Sequence, residues 1–144
     1  MARSRLPCHI RGMSTVREQD YQTLASFRFE LRRFVHFSEA AAAAAGLTSQ
    51  QHQTLLAIRA SPDGVMLVGE LAGRLLLRPH SASELAARLE KAGLVCRVPG
   101  DGDRRQARIA LSDKGGALLE SLSSMHREEL RRIRPLLARL LAEL

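Results

Sequence analysis

The stretch P79-H-S-A-S-E-L-A-A-R-L-E-K-A-G-L-V-C-R-V-P-G-D-G-D-R-R-Q-A-R-I-A-L111 changes its periodicity twice. Its first part repeats apolar residues at Leu85, Ala86 and Leu89, which share one face of a helix. Pro79 suits the first turn of that helix, and Gly93 stops it after Lys91-Ala92. The segments L94-V-C-R-V98 and A107-R-I-A-L111 are short, aliphatic and rich in β-branched residues, so they read as two strands of a hairpin. Joining them, R97-V-P-G-D-G-D-R-R-Q-A-R108 holds four arginines, two aspartates and two glycines. Gly100 and Gly102 permit the reversal, and the charge sits at the tip.

Upstream, V68-G-E-L-A-G-R-L-L is a short helix whose Gly69 and Gly73 cost up to ~1 kcal/mol each if interior, so tertiary packing must hold it. Before it, Thr48 and Gln51 form a capping box that opens a helix through Leu55, Leu56 and Ile58. Ser61-Pro62-Asp63-Gly64 ends that helix with turn chemistry. From Glu18 to Ala45, the residues Leu24, Phe27, Leu31, Phe34, Val35, Ala42 and Ala45 define one long helix with Gly46 as its stop. Phe29 and Phe37 point off its main stripe, which marks a candidate surface for a partner chain. Downstream, Ser112 caps a fifth helix through Leu118, Leu122, Met125 and Ile133, and Pro135 is expected to separate a last helix bearing Leu136, Leu137, Leu140, Leu141 and Leu144. The expected fold is mainly α with a small β-hairpin wing: a winged helix-turn-helix. Its second helix would enter a major groove while the hairpin reaches the flanking backbone or minor groove.

Length and composition agree with one globular domain of 144 residues, 45% hydrophobic and 26% charged. No apolar run approaches the ~18 residues that span a bilayer, and MARSRLPCHIRGM has no signal-peptide core, so a soluble cytoplasmic protein is expected. Residues 1–17 lack periodicity and read as a flexible basic extension, with Met13 an alternative start. Cys8 and Cys96 have no metal or disulfide spacing and read as free thiols. The net charge of +7 suggests a polyanionic partner, although Arg3, Arg5, Arg11 and Arg17 contribute four positive charges before the first acid, Glu18. All the aromatics lie between Tyr21 and Phe37. Rings for base stacking are therefore missing along the rest of the chain, which favours duplex over single-stranded nucleic acid.

The series E70-L-A-x-x-L, S83-E-L-A-A-R-L-E-K-A-G-L-V95, D103-R-R and L111-S-D-K-G115 resembles the multiple-antibiotic-resistance regulator (MarR) family over roughly residues 20–144. The combination is specific; no single element would be. The resemblance implies a homodimer whose helices 18–45 and 112–144 interlock, with residues 48–111 as the winged helix-turn-helix. It implies two such units reading a pseudopalindromic duplex, and repression relieved by a small ligand or by oxidation. Carried over by position, Arg78, His80, Ser81, Ser83, Glu84 and Arg88 belong to the recognition helix and its start, and Asp103, Arg104 and Arg105 to the wing. Asp103 resembles an ion-pair partner that orients the arginine fork. Two departures stand out. Leu67-Val68 replace the usual hydroxyl cap of the preceding helix, and Glu84 stands where a basic or polar residue is common.

Other readings compete. Arg104 and Arg105 as solvated charges, and Ser81 and Ser83 as capping groups, are the plain alternatives to DNA contact. His80 beside Ser81 lacks the geometry and oxyanion element of nucleophilic catalysis. Asp101 and Asp103 lack the further acidic ligands of a calcium loop, and Cys8-His9 has no partner spacing for a metal. Cys96 as an oxidation sensor competes with Cys96 as a buried, inert thiol. Phe29, His36 and Phe37 are either dimer core or the wall of a crevice for a small aromatic or anionic effector. No enzyme constellation, cofactor or metal site is expected. A winged helix kept only as a protein-interaction scaffold is the main functional alternative.

Overall fold

The computed structural model describes residues 15–100 and 107–144. Five α-helices and three short strands follow in the order α1 (Glu18–Ala44), α2 (Ser49–Arg59), β1 (Val65–Leu67), α3 (Val68–Leu75), α4 (Pro79–Lys91), β2 (Val95–Val98), β3 (Arg108–Leu111) and α5 (Asp113–Ala142). The strands form one antiparallel sheet in the order β1-β3-β2, with Met66 and Arg97 both opposite Ile109. The mainly helical winged helix-turn-helix expected from the periodicities is present.

Local chemistry explains most element boundaries. Gln51 N–H donates to Thr48 Oγ1 at 3.1 Å while Thr48 N–H donates to Gln51 Oε1 at 3.0 Å, closing the expected capping box of α2. At α3 there is no hydroxyl cap; instead the Glu70 carboxylate accepts from Leu67 N–H at 3.4 Å. Helices α1 and α4 end on Gly46 and Gly93, whose φ of +79° and +74° suits a residue without a Cβ. The α3–α4 turn has no such glycine. Leu76 takes φ +54° there and is 93% exposed.

Leu55, Ile58, Leu71, Leu89 and Ile109 are essentially fully buried and join α2, α3, α4 and the sheet into one core. Helices α1 and α5 pack against each other and against α2. Thr23 Oγ1 donates to Glu143 Oε2 at 3.1 Å, tying the start of α1 to the end of α5.

Two expectations need correction. Strand β1 was not expected, because three residues between a turn and a helix are too few to show alternation. Pro135 does not divide the C-terminal segment: α5 runs unbroken through it. The carbonyl deprived of its donor belongs to Arg131, four residues back, and both residues are exposed, so water can satisfy it. Buried Ile133 and Leu140 on either side hold the helix together.

The tightest steric constraint lies at the start of α5. A Cβ built on Gly115 would collide with the backbone carbonyl of Leu94, whereas a Cβ on Gly73 would meet nothing within 4 Å. The same substitution should therefore have opposite effects at the two sites. In urea unfolding, Gly115→Ala is expected to destabilise by about 1–3 kcal/mol through overpacking, and Gly73→Ala to stabilise by up to about 1 kcal/mol through helix propensity.

Candidate nucleic-acid interface

Helix α4 buries Ala82, Leu85, Ala86 and Leu89 and turns its other face to solvent. Arg78 at the N-cap, then His80, Ser81, Ser83, Glu84 and Arg88, are all exposed. The structure thus gathers every expected recognition-helix residue on one accessible element. Arg78 makes no side-chain cap bond, and Pro79 occupies the first turn, where its missing N–H costs nothing. Ser81 lies in the first turn of the helix and Ser83 in the second, both exposed and neither at the cap. Arg74, exposed in the last turn of α3, adds a cation that the sequence reading did not single out.

The wing is braced against this helix at its base. Arg97 of β2 donates through Nε to Glu90 Oε2 of α4 at 3.0 Å, so Arg97 is an ion-pair partner and not merely a solvated charge. Ser112 Oγ donates to Gly93 O at 2.6 Å and accepts from Gly115 N–H at 3.0 Å, while Ser112 N–H donates to Leu94 O at 3.0 Å. Val68 N–H donates to Ala107 O at 2.9 Å, fastening the far strand to the start of α3. Asp103, Arg104 and Arg105 lie outside the described residues. Cys96, expected to be buried if inert, is exposed on β2. Among the described residues no group of three or more His, Cys, Asp or Glu side chains is placed to hold a metal ion. No helix of the described chain is long and apolar enough to cross a membrane.

A second feature lies where α1, α2 and α5 meet. A crevice of about 970 Å³ is lined by Phe34 and Ser38 of α1, His52 and Leu56 of α2, and His126 and Leu137 of α5, among others. Phe29, His36 and Phe37 do not come together there. Phe29 is exposed beneath the Arg33 guanidinium, 5.9 Å from its ring centre, and His36 lines a separate shallow groove with Arg28 and Glu39. Phe37 packs edge-on to His126 at 5.5 Å from outside the crevice lining. Neighbouring positions on a helix point about 100° apart, so the face of α1 carrying Phe34 and Ser38 takes the crevice.

Sequence reasoning missed the two histidines. His126 sits close to two acceptor-capable groups, with Nδ1 2.6 Å from the Leu122 carbonyl and Nε2 2.8 Å from Ser38 Oγ. A carbonyl only accepts, so Nδ1 carries the proton, and in the neutral ring Nε2 accepts from the serine hydroxyl. His52 stacks at a tilt on His126, with ring centres 4.7 Å apart, and is only 4% exposed. Its Nδ1 is buried and has no hydrogen-bond partner among the described residues. The available signal was a histidine in the same helical stripe as Leu55, Ile58 and Arg59, which reads equally well as a core residue.

The winged helix-turn-helix, with its hairpin braced against α4, defines the fold class of the protein. Residues 45–106 match a model of the MarR family. Over 68 residues the chain is 35% identical to the uncharacterised HTH-type transcriptional regulator YsmB of Bacillus subtilis, a match covering 47% of each protein. The aligned stretch thus spans about half the length of that curated relative. Two solved structures share the fold. The multiple antibiotic-resistance repressor MarR of Listeria monocytogenes is 24% identical, with 91% of this chain and 99% of that chain covered at a TM-score of 0.69. The F27L variant of S. aureus MepR, solved bound to an oligodeoxyribonucleotide, is 22% identical over 85% and 96% of the two chains, with a TM-score of 0.65. The winged-helix segment is thus similar to the MarR family, and the chain shares the fold of these two solved structures.

Burial, and secondarily electrostatic interaction with the neighbouring His126, push the His52 pKa below its ordinary value of about 6.5. The unfolded chain then binds more protons than the folded one as pH falls through that value, so stability is complete above it and is lost below it. Urea midpoints are expected to fall more between pH 7.5 and pH 5.5 in the wild type than in His52→Leu. Equal falls in the two proteins would show that His52 does not contribute to acid sensitivity.

Proposed function

We propose that the chain is a sequence-specific, double-stranded-DNA-binding transcription regulator. It acts in the cytoplasm as a homodimer on a pseudopalindromic operator, as a repressor released by a small aromatic or anionic effector. The observation that carries this reading is the solvent face of α4, which presents Arg78, His80, Ser81, Ser83, Glu84 and Arg88 while the wing base is pinned to the same helix. A helix of this width suits a major groove, and a fixed wing angle lets Asp103, Arg104 and Arg105 address the flanking backbone in the same docking event. In this reading Asp103 orients the arginines, and Arg104 and Arg105 make the contacts.

Dimerisation is supported by the apolar residues left exposed on the long helices, including Leu24, Phe29, Leu31 and Val35 of α1 and Leu130 and Leu141 of α5. A monomer would leave these side chains in water, and a second copy offers the same surfaces in return. The crevice supports effector release. It contains a buried polar atom without a partner, His52 Nδ1, and its lining includes Arg127, Arg131 and Arg134, which suit an anion with an apolar body. Such a ligand acts by preferring one spacing of the two recognition helices over another.

One observation favours a second mode of release. Cys96 is exposed on the strand leading to the wing tip, where an oxidised sulfur would disturb the hairpin. Thiol oxidation that abolishes DNA binding in the wild type but not in Cys96→Ser would establish that mode over the ligand.

The wing contact is tested by salt titration of duplex affinity. Arg104→Ala is expected to weaken binding to all duplexes alike and to lower the slope of log affinity against log salt by about one. An unchanged slope would remove Arg104 from the interface. Failure of the wild type to bind any duplex at low salt, with a different protein co-purifying, would favour an interaction scaffold instead.

A further inference from the structure

The outward face of α4 is not uniformly basic. His80, Glu84, Ala87 and Lys91 follow one another at helical spacing, opposite the buried line of Ala82, Leu85, Ala86 and Leu89. The middle of the face that the proposed function sends into the groove therefore carries a carboxylate. His80 Nε2 lies 3.3 Å from Glu84 Oε1, and the two side chains remain 86% and 54% exposed. Glu90, the other carboxylate of this helix, is engaged by Arg97 and belongs to the wing brace.

A carboxylate in a major groove is repelled by every phosphate, so the partners left to it are the exocyclic amino groups of the bases. Adenine places the N7 acceptor beside its N6 amino group, which opposes a second carboxylate oxygen. Cytosine places only a carbon-bound hydrogen beside its N4 amino group. We propose that Glu84 is a base-reading residue of α4 that selects cytosine at one fixed position of each half-site through the N4 amino group, with His80 positioning the carboxylate. This inference rests on the DNA-binding function proposed above and adds the identity of a base to it. The same negative charge penalises any docking register that brings Glu84 against the backbone, so it contributes to discrimination by repulsion as well as by attraction.

Selection of bound sequences from a randomised duplex pool tests this with the wild type, Glu84→Gln, Glu84→Ala and His80→Ala. The wild type is expected to require cytosine at one position per half-site. Glu84→Gln should prefer adenine there, because a carboxamide pairs with both N6 and N7. Glu84→Ala should lose preference at that position alone. On the selected site, exchanging the cytosine for thymine should weaken the wild type about tenfold and leave the alanine variant nearly unaffected. His80→Ala should keep the preference for cytosine but reduce its size; undiminished discrimination would overturn the positioning role. A base preference shared by wild type and Glu84→Ala, or adenine in place of cytosine in the wild type, overturns the inference and leaves DNA binding standing. A wild type that selects no sequence overturns both.

Discussion

The geometry of the molecule depends on one close approach, that of Gly115 to the carbonyl of Leu94. Leu94 follows the helix stop at Gly93, and Gly115 lies in the first turn of α5, so the contact joins the end of α4 to the start of α5, the longest of the described helices. Any Cβ at 115 would force the two apart. Because Ser112 accepts from Gly115 N–H and also bonds to Gly93 and Leu94, the steric fit is reinforced by hydrogen bonds that satisfy the otherwise unpaired start of α5. The direction of α5 relative to α4 is thereby set by a short, hydrogen-bonded junction. A rigid helix then carries that direction over its whole length to α1.

The same junction holds the base of the hairpin against α4. Strand β3 ends where Ser112 begins to cap α5, and strand β2 starts from the turn that Ser112 holds. Arg97 and Glu90 add an exposed ion pair across the same corner, whose energetic worth is small but whose geometry selects one wing orientation. Glu70, which accepts from Leu67 N–H, and Val68, bonded to Ala107, fasten the other side of the sheet. At Leu67-Val68 only the reverse half of a capping box is present: Glu70 accepts from Leu67 N–H, while the leucine side chain offers no acceptor to the first-turn N–H groups of α3.

The crevice between α1, α2 and α5 has a different character. Protein interiors rarely leave a buried ring nitrogen without a partner, because the desolvation of that atom is then uncompensated. Both ring nitrogens of His126 are engaged, by Leu122 and Ser38, whereas Nδ1 of the neighbouring His52 has no partner among the described residues. The site lies on the helix that the Gly115 junction orients, and it touches α2 of the winged unit. In the regulator proposed here, occupation of the crevice and placement of α4 are connected through one continuous rigid element, α5. That element is also the one whose internal proline, Pro135, fails to break it.

By itself, the sequence determined the elements whose signals are local. Capping at Thr48 and Ser112, stops at Gly46 and Gly93, the 3.6-residue stripe of α4 and the aliphatic strands around the wing are each written in a few adjacent residues, because backbone hydrogen bonding and side-chain period are short-range properties. The exposed face of α4 followed directly, since naming its buried residues also names the others. The tertiary structure alone decided what depends on meetings between distant segments. These are β1, too short to form without β3 beside it; the unbroken α5, held across Pro135 by buried neighbours; and the crevice, which belongs to Phe34, His52 and His126 and not to Phe29, His36 and Phe37. A histidine in an apolar stripe has the same local signature whether it is satisfied or orphaned. Only the packing of three helices determines which nitrogen finds a partner.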